Sequence, residues 1–377
     1  MMPLFFLTVF LLLTYGLFFQ YYHAWWTTVP EQTASAIQGT LKVSVIVPAR
    51  NEAANIRECL TCILAQDYPK NLLEIIVADD ASEDDTPRLV QEMAAANSCI
   101  HYLRIEAGEM SAAPKKQALA TAIEQATGEL VVTTDADCVM GPRWLSSLVQ
   151  QYVSTGQVFI AAPVQIRDTR SLLSRFQALD FLTMQGITAA VVHRKVLNMC
   201  NGANLAYSKV AFEAVDGFND IDHIASGDDM LLMQKMAKRF PGAIGYCKSK
   251  DAIVVTAPAS SWKAFYRQRI RWASKARHYR QPAMFWVLLH VYCTNLALLS
   301  LLVMSFRYPL SLMYFVLLCA TKFLMEVVFV KPVAQFFRQE KLLPWLLWLQ
   351  PLHIVYIVVA GLMAQLTGYE WKGRKLK

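Results

Sequence analysis

The order of apolar and polar positions divides the chain into three stretches. Residues 3–19 form an uncharged apolar run, just long enough to cross a bilayer core of ~30 Å. Tyr21, Tyr22, Trp25 and Trp26 follow it, as an aromatic belt at a membrane surface would. No basic n-region and no small-residue cleavage site accompany the run, so it predicts an uncleaved anchor rather than a signal peptide. From about residue 42 to 280 the pattern changes. β-branched runs such as "LKVSVIVP", "LEIIVADD", "IHYLRIE" and "GELVVTTDAD" alternate with segments of helical spacing such as "NEAANIRECLTCILAQ", "SEDDTPRLVQEMAAA" and "SAAPKKQALATAIEQA". That alternation predicts βαβ units and a largely parallel sheet covered on both faces. Three further apolar runs close the chain, at about 284–305, 310–330 and 343–366. The first two predict spans; the third contains Pro351 and His353 and reads as a kinked span or a re-entrant hairpin.

Composition sharpens this division. The 377 residues are 55% hydrophobic and 17% charged, with a formal net charge of +7. The basic residues Lys263, Arg267, Arg269, Arg271, Lys275, Arg277 and Arg280 crowd the end of the soluble part, and the loop "KPVAQFFRQEK" is also basic. Both are expected in the cytoplasm, beside anionic lipid. The tail "KGRKLK" is basic too, yet three simple C-terminal spans would put it on the other side. No basic stripe interleaved with aromatics points to nucleic acid. Of eight cysteines only Cys59 and Cys62 are close; their helical setting reads as small apolar residues in a reducing cytosol rather than a redox or zinc pair.

Polar residues fall at the carboxyl ends of the predicted strands: Asn51 and Glu52, Asp79 and Asp80, then Asp135 and Asp137. Ligands of such sheets bind at that edge. A nucleotide suits the first two pairs. A hard divalent cation, Mg2+ or Mn2+, bridging a pyrophosphate suits the third. Taken alone, the D-x-D reads better as a turn closed by Asx hydrogen bonds; its position after two other acidic strand ends favours the cation. Neither G-x-G-x-x-G nor G-x-x-x-x-G-K-[ST] occurs, so no dinucleotide fingerprint or P-loop is indicated.

In order along the chain stand "VSVIVPARNEAANI", "VADDASEDDT", "KKQALATAIEQATGELVVTTDADC", "NGANLAYSK", "SGDDMLL" and "QRIRW". With these the chain resembles family 2 glycosyltransferases of the GT-A fold, in particular the membrane-integrated inverting type related to cellulose, hyaluronan and ceramide-sugar synthases. The resemblance covers about 43–272. It implies an α/β GT-A domain between N-terminal and C-terminal transmembrane helices: an anchor at 1–24, the transferase domain at 40–258, an interfacial helix at 259–282 and two or three spans within 283–377. It also implies roles. Pro48 and Glu52, with Asp79 or Asp80, hold the nucleoside. Lys115 or Lys116 assists with base or phosphates. Asp135 and Asp137 form the D-x-D on the donor, with the metal. Asp229 matches the general base, and Asp228 stands where Glu is more usual. Gln268, Arg269, Arg271 and Trp272 match a Q-x-x-R-W motif near diphosphate and acceptor. Ala120 departs from the pattern, which often has Asn there.

The chemistry asks for the same groups. Transfer from a nucleotide sugar needs charge stabilisation at the leaving diphosphate and a base for the acceptor hydroxyl. Asp135, Asp137, Arg269 and Arg271 suit the first need and Asp229 the second; "GDD" at a helix start also suits capping. Asn201, Gly202 and Asn204, in a polar turn before a strand, are candidates for sugar hydroxyls. The apolar helical stretch from Ser171 reads as core or as a helix on the bilayer surface beside the acceptor. His193, His223 and His278 share no spacing and read as structural. The expectation is a membrane-bound, metal-dependent, inverting transferase. It would take UDP- or GDP-linked sugar to a lipid or lipid-linked acceptor, on the cytosolic side of a bacterial inner or plasma membrane. A processive polysaccharide synthase, a transporter and a non-catalytic nucleotide-sugar-binding subunit are the alternatives.

Overall fold

The computed structural model describes residues 2–33, 41–105, 113–224, 226–274, 281–366, 369–371 and 374–376. The basic positions Lys275, Arg277 and Arg280, and His278, lie outside them. In chain order the elements are α1 (Met2–Thr28), β1 (Val43–Ala49), α2 (Ile56–Leu64), β2 (Leu73–Asp80), α3 (Thr86–Ala96), β3 (Ile100–Ile105), α4 (Pro114–Gln125) and β4 (Leu130–Thr133). There follow β5 (Val139–Met140), α5 (Trp144–Thr155), β6 (Phe159–Ala161), β7 (Val164–Ile166), α6 (Leu172–His193), β8 (Leu205–Ser208), α7 (Lys209–Ala214), α8 (Met230–Arg239), β9 (Ile244–Tyr246) and β10 (Val254–Thr256). Then come α9 (Trp262–Ser274), α10 (Pro282–Met304), α11 (Leu310–Phe336), α12 (Leu343–Trp348) and α13 (Gln350–Leu366), followed by two short paired strands, β11 (Tyr369–Trp371) and β12 (Arg374–Leu376). Two compact units result: a sheet unit of Pro30–Arg167, Asn198–Ala257 and Leu376–Lys377, and a helical unit of Met1–Val29, Asp168–Leu197 and Pro258–Lys375.

In the sheet unit a seven-stranded sheet runs in the order β3-β2-β1-β4-β8-β6-β9. The first four strands are parallel, as the alternation predicts. β8 is antiparallel to both β4 and β6, so the sheet is mixed. A second sheet, β5-β10-β7, carries three short strands. Strands covered on both faces lose their alternation; Val43, Val45, Ile46 and Val47 of β1 are all fully buried. α2 buries Ile56, Cys59, Leu60 and Ile63, at the spacing of one helical face. Burial pushes the Cys59 thiol far above its usual range, and all eight cysteines are free, which accords with small apolar residues.

The order of β1 and β4 places the topological switch between them, because successive connections leave β1 toward opposite edges. Their amino ends are held tightly. Gly128 N donates to Ser44 Oγ at 2.8 Å, Ser44 Oγ donates to Glu74, and Thr127 N and Oγ1 both donate to Glu74 at 2.9 Å. Burial alone would raise the Glu74 carboxyl, but these bonds outweigh it and hold it below its usual range. A Cβ on Gly128 would lie 2.5 Å from the Ser44 nitrogen, so glycine is required by a backbone approach.

Among the described residues, the helical unit contains three single helices long and apolar enough to cross a membrane: α1, α10 and α11. On α1, Leu12, Tyr15, Gly16, Phe19, Tyr22 and Trp26 are buried while Phe6, Phe10, Leu13 and Leu17 are exposed. An apolar surface of that extent suits lipid rather than water. α12 and α13 meet at a bend of 74°, the break that Pro351 at the start of α13 favours, so this region is a broken span or re-entrant loop. Lys322 and Glu326 pair at 2.6 Å; Tyr15 donates to Glu326 at 2.6 Å and Lys322 to Gln350 at 2.8 Å. Both charges are buried, and pairing is what makes that tolerable. α6, expected from the sequence inside the transferase domain, belongs to this unit and packs on α1 and α11. There a Cβ on Gly186 would meet Val333 and Phe329 at 2.6 and 2.8 Å.

Gly128→Ala should destabilise the protein by about 1–3 kcal/mol, an overpacking cost against backbone. Thermal or denaturant unfolding of the purified protein checks this, and an unchanged midpoint would mean that the β1–β4 approach is looser than described.

Candidate active site

Two loops at the carboxyl ends of β1 and β2 are built on left-handed residues, Asn51 at φ 52° and Ala81 at φ 49°. Such backbone is costly outside glycine and persists where surroundings enforce it. Here side chains do so: Asn51 N donates to Ser82 Oγ and Glu83 N to Asn51 Oδ1, both at 2.9 Å. Asp79 is fully buried and accepts from Ser82 N at 3.1 Å and Tyr102 OH at 2.8 Å. Burial, with the Asp79 carboxylate, pushes Tyr102 up to about 12. Arg50 donates to the Asp80 carbonyl at 2.5 Å, lies 3.8 Å from the Asp80 carboxylate and reaches Glu83 at 3.6 Å. Glu52 accepts from Asn55 Nδ2 at 2.8 Å, and its own N–H donates to Thr86 Oγ1 at 2.8 Å. Arg50 and Tyr102 went unread in the sequence; a lone Arg and a strand Tyr carry no motif.

The centre of the site lies beyond β4. Lys115, in the first turn of α4, places its ammonium 2.8 Å from Asp135 and 3.2 Å from Asp228. Burial alone would favour the neutral amine; Asp135, Asp228 and Asp229 outweigh it and hold Lys115 charged, well above its usual range. Gly202 abuts the same group: a Cβ there would lie 3.4 Å from Asp228 Oδ2 and 3.6 Å from Lys115 Nζ and Asp229 Cβ. Asp229 caps α8, accepting from Met230 N at 2.7 Å, and also accepts from Gly202 N at 3.2 Å. Pro48, Thr133, Tyr207, Lys115, Gly202 and Asp228 line one small cavity, so β1, β4, α4, the 201–204 turn and the start of α8 converge. The carboxylate faces that the D-x-D and "SGDDMLL" segments supply thus share one ammonium.

Asp137 accepts from Thr256 Oγ1 at 3.1 Å and from Cys138 Sγ at 3.5 Å. Burial, then the negative charges of Asp135 and Glu52, raises its carboxyl above the usual range despite those bonds. A raised carboxylate pKa is a cost to folding that grows with pH, and a cation at the group removes it. Among the described residues no three His, Cys, Asp or Glu side chains form a ready-made cation cage. The donor set fits Mg2+ or Mn2+ in the partial sense those ions accept, one or two carboxylates completed by phosphate oxygens.

Other expected contacts are placed elsewhere. Lys116 is buried and donates to the carbonyls of Ile221 and Ile224 at 2.5 and 2.7 Å, bracing the segment before Asp228. Asn204 is fully buried; its amide bonds the carbonyls of Pro163 and Ala252 at 2.8 Å, and accepts from Trp144 Nε1 at 2.9 Å. Asn201 closes its own turn, accepting from Ala203 N at 3.0 Å. Gln268, Arg269, Arg271 and Trp272 lie on α9 of the helical unit. Arg269 is buried, 2.8 Å from Asp180 of α6, between the rings of Trp272 at 4.4 Å and Phe265 at 5.0 Å. Burial would raise Asp180, yet Arg269 and His353 hold it below its usual range.

Residues 44–215 match the family model described as Glycosyl transferase family 2, and residues 130–327, over half of the chain, match Glycosyl transferase family group 2. The chain belongs to the family 2 glycosyltransferases. It is 29% identical over 188 residues to Glycosyltransferase AglE of Haloferax volcanii, covering 50% of this chain and 59% of that protein. It is 24% identical over 239 residues to a poly-beta-1,6-N-acetyl-D-glucosamine synthase of Staphylococcus epidermidis, covering 61% and 53%. The chain therefore spans little more than half the length of these curated relatives. Its fold is similar to that of the mannosyltransferase PcManGT from Pyrobaculum calidifontis, solved in complex with GDP-Man and Mn2+. The TM-score is 0.60 at 21% identity, over 96% of this chain and 97% of that one. A GT-A-like fold is thereby established.

Asp137→Asn should raise the melting temperature of the ligand-free protein at neutral pH by about 2–4 °C, if roughly 1 kcal/mol of repulsion is relieved. The gain should shrink as pH falls through the range where Asp137 takes up a proton. A lower melting temperature at neutral pH would contradict the crowding described.

Proposed function

We propose that this family 2 glycosyltransferase moves a hexose from a UDP- or GDP-linked donor to a lipid or lipid-linked hydroxyl at a membrane, with inversion of the anomeric carbon. The observation that carries the proposal is the convergence of Asp135 and Asp228, distant in the chain, on the single ammonium of Lys115 at the switch between β1 and β4. Sheets of this type bind nucleotides at that edge. Donor contacts fall to the loops of Pro48–Glu52 and Asp80, with Asp79 and Tyr102 shaping their floor. Lys115 offers positive charge to the diphosphate. A divalent cation, when held by Asp137 and Asp135 with phosphate oxygens, would add charge stabilisation of the leaving group.

Asp229 is the base. Its two backbone bonds orient the carboxylate, and a carboxylate offers about four acceptor positions, so orientation does not exhaust it. It takes the proton of the acceptor hydroxyl as the oxygen attacks the anomeric carbon and the diphosphate leaves with the bonding pair. One displacement needs one base and inverts the centre. Asp228, paired with Lys115, stays a charged neighbour that keeps the segment in place. Gly202, with its N–H on Asp229, contributes backbone rather than a side chain to the acceptor side. The Q-x-x-R-W residues Gln268, Arg271 and Trp272 are proposed, on the family resemblance alone, to serve diphosphate and acceptor; Arg269 is braced on Asp180 within the helical unit.

A lipid acceptor is favoured by chain continuity: spanning-length apolar helices flank the transferase segments at both ends of the sequence. Basic residues on α9 favour a cytosolic transferase unit. Similarity to a polysaccharide synthase supports a second reading, repeated transfer to a growing glycan.

The test is purified protein in lipid, offered UDP- and GDP-sugars with Mg2+ or Mn2+ and lipid extract, with mass analysis of products. Asp229→Asn should lower turnover by about 10²–10⁴-fold, the usual worth of a general base, while nucleotide binding stays within about twofold. Full turnover in that variant would remove Asp229 from the mechanism.

A further inference from the structure

Lys115 sits where helix electrostatics disfavours it. It follows Pro114 in the first turn of α4, a turn without acidic residues or a side-chain cap, at the positive end of the helix dipole. What offsets this is the pair of carboxylates, Asp135 at 2.8 Å and Asp228 at 3.2 Å. They come from different parts of the chain, one from the D-x-D and one from the base-bearing segment. The neighbouring Lys116 pins the carbonyls of Ile221 and Ile224, so the first turn of α4 holds the base-bearing segment twice, by its carboxylate and by its preceding backbone.

We propose that Lys115 is an internal counter-cation that makes divalent-cation binding depend on the sugar-nucleotide donor. The inference rests on the donor reading above. In the ligand-free protein the ammonium neutralises Asp135 and repels a second cation from the same carboxylate. The Asp135 side chain is 37% exposed, against 24% for Lys115 and 14% for Asp228, so Asp135 is the more accessible of the two carboxylates to a metal ion, which would meet the charge of Lys115 beside it. A nucleoside diphosphate brings negative charge to the ammonium and oxygens to the metal, and so tips the balance. Lys115 is then a positioning residue: it keeps the site in register when empty and couples donor arrival to metal affinity. Removing its charge leaves Asp135 and Asp228 without the ammonium they share, a state that a bare divalent cation would relieve.

The experiment is equilibrium dialysis of Mn2+ against the full chain in nanodiscs, alone and with saturating UDP or GDP. Wild type should bind Mn2+ at least about tenfold more tightly with the fitting nucleotide than without it. Lys115→Gln should bind bare Mn2+ at least about tenfold more tightly than wild type, and the nucleotide should then add less. Lys115→Arg keeps the charge and should behave as wild type. Bare Mn2+ affinity in Lys115→Gln equal to wild type, with nucleotide coupling intact, overturns the proposal and leaves the donor reading standing. The wild-type arm alone decides the matter if the glutamine variant does not fold: equal Mn2+ affinity with and without nucleotide also overturns it. Absence of Mn2+ binding in every variant, with UDP and with GDP, removes the donor reading and the proposal together.

Discussion

Acidic side chains from separate parts of the chain share one small volume, and a single ammonium makes that possible. Without Lys115 the carboxylates of Asp135 and Asp228 would crowd each other with no cation between them, beside the small cavity that Lys115 and Asp228 line with Pro48 and Thr133. Interaction between like charges at such range costs several kcal/mol at a partly buried site. The remainder of the sheet unit serves this arrangement. The Ser44–Glu74–Thr127–Gly128 bonds fix β1, β2 and β4 at one end, so that the loops at the other end start from known positions. Lys116 and Asn204 then spend their polar atoms on holding the 221–224 segment and the 201–204 turn.

Much of this is legible in the residues themselves. β2 spans Leu73–Asp80, the whole of the "LEIIVADD" run, because an unbroken β-branched stretch bounded by polar residues admits little else. The acidic ends of the parallel strands follow from the same reading, since each carboxylate comes where the apolar run stops. Harder to read is which polar residue faces a ligand and which faces the protein. Asp79 and Asp80 are adjacent, yet Asp79 is wholly internal, bonded to Ser82 and Tyr102. Lys115 and Lys116 differ likewise, because successive helical residues point about 100° apart. Asn204 looks like a ligand amide in sequence, but its partners Trp144, Pro163 and Ala252 come from three other segments. Long-range closure of that kind leaves no local mark.

α6 shows the same limit at the scale of an element. Its apolar helical pattern does not distinguish a core helix from one that packs on helices long and apolar enough to cross a membrane. The side chains that settle it, Val333 and Phe329 against Gly186, lie far along the chain. The reversed strand β8 is a comparable case: direction depends on the connection through α6, not on the run "LAYS". By contrast, Lys322 and Glu326 stand four residues apart and pair as helical spacing allows, with Tyr15 and Gln350 completing bonds that a buried ion pair requires.

The proposal that β1, β4, α4 and α8 converge on one donor is tested most directly by a cryo-EM structure of the full chain in lipid with a nucleoside diphosphate sugar and Mn2+. The account predicts the diphosphate beside Lys115 and within metal-bridged reach of Asp137, with the sugar between it and Asp229. A nucleotide bound away from these carboxylates, or an Asp229 carboxylate turned away from the sugar, would contradict it.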